Sequence, residues 1–588
     1  MKSEATYIAS VRRVVGSTVF AMLAPDLPST SPIVSGRVYR VGQIGSFVRI
    51  PIGFLNAYGI VSMVGVSATV DADDRERSNA EYSLEIRLVG ESYGNAAFER
   101  GVSSYPTVGD EVHAVTEEDL RKIYAPSGLS PICVGVHSAS ENLPATLDLN
   151  RLVTRHAAIV GSTGSGKSNT VASIIKALTA GAFPKARAIV IDLHGEYRSA
   201  FAGQSRVFSI GDTQQPLFLP YWCLAFDELA WFLVDRQRAS ETVQDGNLRE
   251  KVFSMRQSTA AGLAVGGGQQ ALSANEVTVD SPIPFDLRAL WYYFDRLERT
   301  TFSDQARTQE ALIAEGNASQ LQSAQFQPHG AGSALPLKPQ PAPVMGSYTN
   351  KILQRLKDRR YEFLLQPGEY DGITKDLGDL LASWLDHDMP ITVLDLAGVP
   401  PDVIDLVVGL LSRILIEIAF WGRDLPGIGK NGPVLLVLEE AHRYLPKGDG
   451  HFIQGYARRS VQRILREGRK YGLGAVLVSQ RPSEIDDTIL SQCGTFIALR
   501  LSNSQDRSHV RGTMPDELAG LTELLPALRT GEAIVSGEAV AIPSRVRVSL
   551  VEPRPSSGDP DVGELWSDAT QAEVDYISAV SNWRRQQT

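Results

Sequence analysis

Residues Gly161 to Ser168 have the types and the spacing that bind phosphate groups. They read Gly-Ser-Thr-Gly-Ser-Gly-Lys-Ser, which matches the GxxxxGK[ST] pattern, and they follow the apolar segment His156–Val160. Apolar residues at helical spacing come next, so the pattern predicts a strand, a loop and a helix. Glycines in such a loop let successive N–H groups point at phosphate oxygens, and the helix dipole adds to the attraction. The sequence therefore predicts a nucleotide site.

The predicted nucleotide is ATP together with Mg²⁺. Lys167 is expected to reach the β- and γ-phosphates, and the Ser168 hydroxyl is expected to ligate Mg²⁺. A glycine-rich turn that matches by chance is the alternative, and the flanking strand and helix argue against it. The predicted nucleotide-binding residues of the loop are Gly161, Thr163, Gly164, Ser165, Gly166, Lys167 and Ser168.

Two acidic residues, Glu439 and Glu440, end the apolar segment Val434–Leu438. A carboxylate at the end of a strand beside a phosphate loop can hold Mg²⁺ through water, and a second carboxylate can orient or deprotonate the attacking water. We predict the first role for Glu439 and the second for Glu440. Two acids after an apolar strand are by themselves more often a solvated strand end, so this assignment depends on the phosphate loop.

Polar residues end two further apolar segments. Gln480 follows one of them, and an amide at the tip of a strand can sense the γ-phosphate of ATP and pass its presence to the rest of the subunit. A second polar cluster, Asp192–Tyr197, follows the strand predicted at Ala188–Asp192. Because ligands of open α/β sheets bind at the carboxyl ends of the strands, both groups are expected on the ligand side. A simple capped turn is the alternative for each.

Arginines at two places could stabilise negative charge during hydrolysis. Arg155 lies twelve positions before Lys167, too far back along a strand to reach its own γ-phosphate, and it could face the nucleotide of a neighbouring subunit. An arginine finger supplied in this way is worth about 10³ to 10⁵ in rate. Surface salt bridging is the alternative for Arg155 and for a second basic group on a helix-like segment. That group consists of Arg463, Arg466, Arg469 and Lys470.

The elements that position these residues indicate an α/β fold class. The first 115 or so residues alternate short β-rich runs with turn residues, which favours a small barrel or sandwich. After Arg155, apolar strands alternate with helical segments, which is typical of a mainly parallel sheet whose strands are buried on both faces. The predicted strands are His156–Val160, Ala188–Asp192, Ile391–Leu396, Val434–Leu438, Ala475–Ser479 and Thr495–Leu501.

Composition shifts along the chain predict its domain organisation. Residues 222–388 show few strand signals, which favours an inserted helical subdomain. Within it, residues 316–346 are rich in Gln, Ala, Gly, Ser and Pro, which predicts a mobile loop. The predicted divisions are a β-barrel at 1–120, a linker at 121–150, an ATPase core at 151–221 and 389–548, the insertion at 222–388, and a C-terminal extension at 549–588.

The overall composition is that of a globular protein of several domains. The chain has 588 residues, 43% hydrophobic and 21% charged, with 57 basic and 67 acidic residues and a net charge of −10. Three well-separated cysteines support neither a disulfide framework nor a structural zinc site, which favours a reducing cytoplasm. We find no signal peptide pattern, and charged residues interrupt the longest apolar run, Val403–Trp421, so we expect a buried helix and no membrane association.

Taken together, these motifs resemble the HerA family of hexameric ATPases that translocate DNA, relatives of FtsK with a RecA-like P-loop core. The resemblance covers nearly the whole chain, and it includes an N-terminal β-rich stretch like the HerA–ATP-synthase barrel. The matching blocks are Leu152–Asn169, Ile191–Tyr197, Asp280–Phe285, Glu439–His442, Arg466–Lys470, Ser479–Pro482 and Thr530–Glu538. One departure is Glu439, which stands where many P-loop ATPases have Asp.

The resemblance implies a homohexameric ring, with ATP bound between subunits and double-stranded DNA in a central channel. It extends the nucleotide site to Asn169, makes Arg155 the finger that reaches the next subunit, and favours Arg466 as a second arginine that acts within its own subunit. Arg463 and Arg469 lie too close in sequence to exclude. A net charge of −10 is compatible with DNA, because only the bore of a ring needs positive charge.

The same resemblance implies a separate effector on the barrel face. In this family the effector is a nuclease such as NurA or, in antiviral defence, a sirtuin-like NADase. We expect a defence-type member. A nucleotide-dependent assembly scaffold that docks an effector with little translocation is the alternative function, and a small-molecule kinase is disfavoured by the length of the chain. Residues with a candidate role in DNA binding are Lys447, Arg458 and Arg459, for which a solvated surface loop is equally compatible.

Overall fold

A computed structural model describes most of the chain. The described residues are 6–24, 33–34, 37–38, 43–67, 81–94, 96–124, 130–138, 140–180, 182–236, 241–263, 272–332, 334–448, 455–513, 519–556, 561–567 and 574–586. The chain forms two compact units. The first comprises Met1–Ser205, Met389–Val393 and Leu415–Gly558, and the second comprises Arg206–Asp388, Leu394–Ile414 and Asp559–Thr588.

The first unit begins with a closed barrel of six antiparallel strands. These follow the order β2-β1-β9-β5-β6-β7, and the barrel closes because β2 pairs with β7. Alternate residues such as Val19, Ile50 and Ile86 point inward and are fully buried. The elements are β1 (Tyr7–Val15), β2 (Thr18–Leu23), β3 (Ile33–Val34), β4 (Arg37–Val38), β5 (Phe47–Ile52), β6 (Leu55–Ser67), β7 (Glu81–Tyr93), β8 (Glu99–Arg100), β9 (Glu111–Ala114) and α1 (Glu117–Ile123). The predicted N-terminal barrel is confirmed.

The next segment starts the large sheet of the first unit. Its elements are β10 (Pro131–His137), β11 (Ser140–Asp148), α2 (Leu149–Thr154), β12 (Ala157–Val160), α3 (Lys167–Thr179), β13 (Ala188–Asp192) and α4 (Tyr197–Ala200). β10 and β11 form an antiparallel hairpin, and β10 also pairs with the late strand at 544–548. Most of the predicted linker at 121–150 is therefore part of the sheet. Gly135 permits this pairing, because a Cβ there would lie 2.1 Å from the Arg547 carbonyl oxygen.

The second unit carries the predicted insertion. Its elements, after β14 (Ser205–Ser209) at its boundary, are α5 (Phe226–Val234), α6 (Val243–Ala260), α7 (Leu287–Arg299), β15 (Leu312–Ala314), β16 (Gln325–Phe326), α8 (Gly346–Lys357), α9 (Glu362–Leu365) and α10 (Leu377–Leu385). The fully buried Arg256 donates to the carbonyl oxygens of Trp222 and Leu224, which offsets part of the cost of burying its guanidinium inside this unit. Residues 316–346 contain hydrogen-bonded turns, such as Asn317 N–H to Gln322 O.

The remaining elements complete the sheet and add a C-terminal segment. They are β17 (Ile391–Asp395), α11 (Ile404–Trp421), β18 (Val434–Leu438), α12 (Tyr456–Glu467), β19 (Leu473–Ser479), α13 (Asp487–Leu490), β20 (Thr495–Ala498), α14 (Ser504–Thr513), α15 (Ala519–Thr522), β21 (Glu532–Gly537), β22 (Ser544–Val548), α16 (Val562–Ser567) and α17 (Tyr576–Arg585). Within the described ranges, no helix combines the length and the apolar character that crossing a membrane requires.

The strands of the sheet that lie in the first unit follow the order β11-β10-β22-β21-β20-β12-β19-β18-β13-β17. From β20 to β13 the pairs are parallel, and from β20 to β11 they are antiparallel. Strands β12, β13, β19 and β20 are buried along their whole length, as the sequence predicts. This arrangement places the carboxyl ends of β12, β13, β18 and β19 at one edge.

Candidate nucleotide-binding and hydrolysis site

The phosphate loop joins β12 to α3 at that edge. Gly166 has φ +105° and is the N-cap of α3, and it has no side chain that could bond the first-turn N–H groups, which are left available to an anion. The Lys167 ammonium donates to the Ser162 carbonyl oxygen over 3.2 Å. Burial lowers the pKa of Lys167, and the carboxylates of Glu440, Glu439 and Glu196 act in the opposite direction. The Lys167 ammonium and the three carboxylates are therefore close enough for their charges to interact.

The loop is closely packed at its first glycine. A Cβ on Gly161 would lie 2.5 Å from Ser165 Oγ and 2.9 Å from Leu499 Cβ. We expect Gly161→Ala to displace the loop. The free-energy cost that is usual for overpacking corresponds to a weakening of ATP binding of about 10- to 100-fold. Gly378→Ala, where no atom lies within 4 Å, is the matched control. Titration with a fluorescent ATP analogue measures both affinities, and an unchanged dissociation constant for Gly161→Ala contradicts the expectation.

The Ser168 hydroxyl donates to Glu196 Oε2 over 2.6 Å. Glu196 lies just before α4, and Asp192, at the end of β13, accepts backbone N–H groups from His194, Gly195 and Tyr197 that fix this turn. The sequence shows the polar cluster after β13, but it does not show that Glu196 faces the phosphate loop. Glu196 belongs to the cluster that the sequence places on the ligand side, but sequence reasoning did not single it out as a site residue.

Glu439 lies at the end of β18 and is buried among other acids. It accepts a hydrogen bond from the Tyr197 hydroxyl. Burial raises the pKa of Glu439 to about 8, the Tyr197 hydrogen bond lowers it, and the nearby charges of Asp192 and Glu196 raise it further. Burial and the neighbouring carboxylates thus disfavour the charged form of Glu439 in the chain alone.

Glu440 has a left-handed backbone, φ +49°, which is uncommon for a residue other than glycine. Its Oε2 lies 3.1 Å from His442 Nδ1, and the same ring nitrogen lies 3.3 Å from the Ser479 hydroxyl at the end of β19. Strained backbone held by side-chain contacts is typical of functional sites. His442 was visible in the sequence beside the two acids, but its contact with the neighbouring strand was not.

Gln480 contacts the phosphate loop directly. The Thr163 hydroxyl donates to Gln480 Oε1 over 2.6 Å. Beside this contact lies an open polar cleft of about 1040 Å³, lined in part by Ser162, Arg481 and His509. The structure therefore places Lys167, Ser168, Glu439, Glu440 and Gln480 around one loop.

Asn169 is turned away from the loop. Its amide donates to the Ser549 carbonyl oxygen over 3.0 Å and accepts from the Val551 N–H over 3.0 Å. Lys176 similarly donates to the Glu552 carbonyl oxygen over 2.7 Å. The start of the predicted C-terminal extension therefore runs along α3 in the first unit, and Asn169 anchors it.

Arg155 lies at the opposite end of β12 from the phosphate loop. A strand rises about 3.3 Å per residue, so the four residues of β12 alone separate Arg155 from that loop by about 10 Å. Its Nε lies 3.3 Å from Glu538 Oε2, and the two side chains are 45% and 46% exposed. The structure does not bring Arg155 to the nucleotide site of its own chain.

The three candidate arginines at 463, 466 and 469 differ in their surroundings. Arg463 is 2.5 Å from Glu417 and 3.6 Å from Glu467, so its charge is engaged. Arg466 and Arg469 are exposed. Of the candidates for DNA contact, Lys447 is 2.9 Å from Asp487 and Arg458 is 3.7 Å from Asp486. The glycine-rich stretch between them, at 449–454, lies outside the described residues.

The residues around the loop fit a nucleotide with Mg²⁺. A hydroxyl and carboxylates are the oxygen ligands that Mg²⁺ prefers, and Mg²⁺ commonly combines a few protein oxygens with waters and substrate phosphates. In the described part of the chain, no group of three or more His, Cys, Asp or Glu side chains is arranged to hold a metal ion without other ligands. The parallel strands, phosphate loop and paired acids define a P-loop ATPase with a RecA-like core.

Comparison with known proteins identifies the family of P-loop ATPases to which the chain belongs. The model of "Helicase HerA, central domain" matches residues 132–415, and that of "Helicase HerA-like C-terminal" matches residues 423–581. A DNA double-strand break repair helicase HerA from Sulfolobus acidocaldarius is 26% identical over 81% of this chain and 80% of its own length. Its counterpart from Pyrococcus furiosus is 26% identical over 80% of this chain and 78% of its own length. The chain belongs to the HerA family.

Solved structures with similar folds include VirB4 of Thermoanaerobacter pseudethanolicus, 12% identical, with a TM-score of 0.45 over 72% of this chain and 99% of that one. The plasmid coupling protein TrwB in complex with ADP and Mg²⁺ is 13% identical, with a TM-score of 0.40 over 73% of this chain and 97% of that one.

Proposed function

We propose that this chain is an ATP-driven motor that moves along double-stranded DNA as a homohexameric ring and works with a separate effector. The observation that carries the proposal is the convergence of Lys167, Ser168, Glu439, Glu440 and Gln480 on one loop in a member of the HerA family. The curated relatives named for DNA double-strand break repair support duplex DNA as the substrate on which the motor acts.

In the proposed mechanism the loop N–H groups and Lys167 hold the phosphates of ATP, which neutralises charge where it develops. Glu440 orients the attacking water and accepts its proton, and His442 holds the Glu440 carboxylate in place. Gln480, bonded to Thr163, senses whether the γ-phosphate is present. Ser168 and, through water, Glu439 would hold Mg²⁺, with Glu196 beside them. Bound Mg²⁺ supplies Lewis-acid charge to the β- and γ-phosphate oxygens.

Arg155 serves a neighbouring subunit in this proposal. It lies at the opposite end of β12 from its own phosphate loop, it is about half exposed, and its guanidinium pairs with the acidic Glu538. Arg466, exposed at the end of α12, is the proposed second arginine, because Arg463 is engaged with Glu417. If each nucleotide site in the ring takes an arginine from the next subunit, Arg155 is expected to lie away from its own phosphate loop.

Our proposals for the effector, the cellular compartment and the DNA-contacting residues are based on the sequence. The closed barrel offers a separate face for an effector, a nuclease of the NurA type or a sirtuin-like NADase, in DNA end processing or antiviral defence. We place the motor in the cytoplasm on the basis of its three unpaired cysteines. Lys447, Arg458 and Arg459 remain the proposed contacts to DNA phosphates.

We expect Arg155→Ala to lower the kcat of ATP hydrolysis at least about 10²-fold, since the lost guanidinium stabilises transition-state charge. Glu440→Gln should be equally inactive. In rings reassembled from equal amounts of the two variants, about a quarter of the interfaces pair an intact Glu440 with an intact Arg155 from the neighbour. Partial recovery of hydrolysis is therefore expected. Absence of recovery in rings shown by mass spectrometry to be mixed contradicts a role across the interface.

ATP turnover with and without linear duplex DNA tests the proposed function. We expect DNA to stimulate turnover by a particle of about six 63.9 kDa chains. No stimulation over a range of salt concentrations would contradict a DNA motor. The scaffold alternative predicts that a variant able to bind but not hydrolyse ATP keeps full effector activity, whereas the motor predicts its loss.

A further inference from the structure

His156, which joins Arg155 to β12, occupies a position that normally belongs to glycine. Helix α2 ends at Thr154, Arg155 is its C-cap, and His156 follows with φ +57°. Glycine dominates at this position after a helix, because a Cβ is strained in the left-handed region. His156 is nevertheless 3% exposed. A bulky, buried side chain that persists in a strained conformation indicates that the ring itself is needed.

The His156 ring is hydrogen-bonded to the neighbouring strand. The Ala475 N–H, in β19, donates to Nδ1 over 3.1 Å. A nitrogen that accepts an N–H carries no proton, so Nε2 carries the proton of the neutral ring. Burial lowers the pKa of His156 to about 4, the nearby Leu465 backbone raises it and the charge of Arg469 lowers it further, so the ring is neutral at physiological pH.

The backbone on either side is fixed as well. The Arg155 carbonyl oxygen accepts the Gly494 N–H over 2.7 Å, and the His156 carbonyl oxygen accepts the Thr495 N–H over 3.2 Å. A Cβ on Gly494 would lie 2.9 Å from both Cβ and the carbonyl oxygen of Arg155, so the two segments are in close contact. The direction in which the Arg155 side chain leaves the surface is therefore set by the turn at His156.

We infer that His156 is a positioning residue that holds the turn carrying Arg155 against β19. The inference deepens the proposed function and rests on it. The ring belongs to that turn and accepts the Ala475 N–H of β19. A displacement of about 1 Å in a group that stabilises the transition state can cost about 10²-fold in rate, so the position of this turn matters.

Two substitutions separate the ring from the backbone. His156→Gly keeps the left-handed turn and removes the ring, and we expect kcat for ATP to fall about 10- to 100-fold with KM nearly unchanged, because the phosphate loop is intact. His156→Asn tolerates the same turn and keeps an amide donor and acceptor, so it should recover part of kcat. His137→Asn, at a buried histidine in β10, is the matched control and should leave kcat unchanged.

A double-mutant cycle with Arg155→Ala provides the decisive readout. If His156 acts through Arg155, His156→Gly should cause little further loss of kcat once Arg155 is alanine. An equal loss in both backgrounds, or no loss in the wild-type background, overturns the inference. So does a loss confined to KM. Should His156→Gly fail to fold, His156→Asn carries the same cycle.

The proposed function can fail separately. If wild-type protein shows no ATP turnover, or if Lys167→Ala keeps it, the proposed function is wrong. If wild-type turnover is normal and Lys167→Ala abolishes it, a failed cycle contradicts only the role of His156.

Discussion

Lys167→Ala is expected to lower kcat/KM for ATP about 10³-fold or more. The ammonium group lies within the phosphate loop. Burial lowers its pKa, but the charges of Glu440 and Glu439 favour its protonated form, which can pair with phosphate. Steady-state hydrolysis and equilibrium binding of an ATP analogue measure the two parts of the effect, and both should be impaired.

A lysine on the same helix provides the control. Lys176 donates to the Glu552 carbonyl oxygen and does not join the acidic cluster, so Lys176→Ala should retain turnover within about a factor of two. Equal losses in the two variants would show that the effect comes from α3 as a whole and would contradict the role assigned to Lys167.

Glu440→Gln is expected to bind ATP with nearly normal affinity and to hydrolyse it about 10² to 10⁴ times more slowly. Glutamine keeps the size of the side chain and the polar contact with His442, but it cannot accept the proton of the attacking water. A single-turnover measurement with ATP already bound isolates the chemical step. Glu250→Gln, exposed on α6, is the control and should leave turnover unchanged.

The same variant distinguishes the two acids. If Glu440→Gln hydrolysed ATP normally and Glu439→Gln did not, the assignment of roles would be reversed. We favour the roles as assigned, because Glu439 is bonded to Tyr197, whereas Glu440 has the unusual backbone and the contact with His442.

The strands and the phosphate loop could be predicted from sequence because their signals are local. Segments such as Ala188–Asp192 and Val434–Leu438 are apolar except for the terminal Asp192, and they are strands with those bounds. The loop pattern determines its own backbone through Gly166, which the structure confirms at φ +105°. Buried parallel strands leave a continuous apolar run, and their polar ends mark the ligand side.

Long-range pairing could not be predicted in the same way. Residues 131–148 contain Pro131, Gly135 and Pro144, which are typical of a linker, yet they form β10 and β11. Pro144 is tolerated because β11 is the edge strand, and Gly135 is needed because Arg547 of β22 lies against it. Both reasons appear only when the partner strand, some 400 residues away, is in place.

The same holds for the site. Glu196 and His442 were visible as polar residues after strands, but their roles follow from contacts with Ser168 on α3 and Ser479 on β19. Asn169, which the resemblance favoured, and Arg463, which it left open, show the reverse case, since the structure engages their side chains elsewhere. Motif position identifies candidates, whereas side-chain direction decides among them.

Displacement of a third strand from a duplex tests the central claim most directly. A motor that moves along double-stranded DNA should release a triplex-forming oligonucleotide from a longer duplex when ATP is supplied. We expect release with the wild-type chain and ATP, and none with a non-hydrolysable ATP analogue or with Glu440→Gln. Wild-type chain that hydrolyses ATP in the presence of DNA but leaves the third strand in place would contradict translocation.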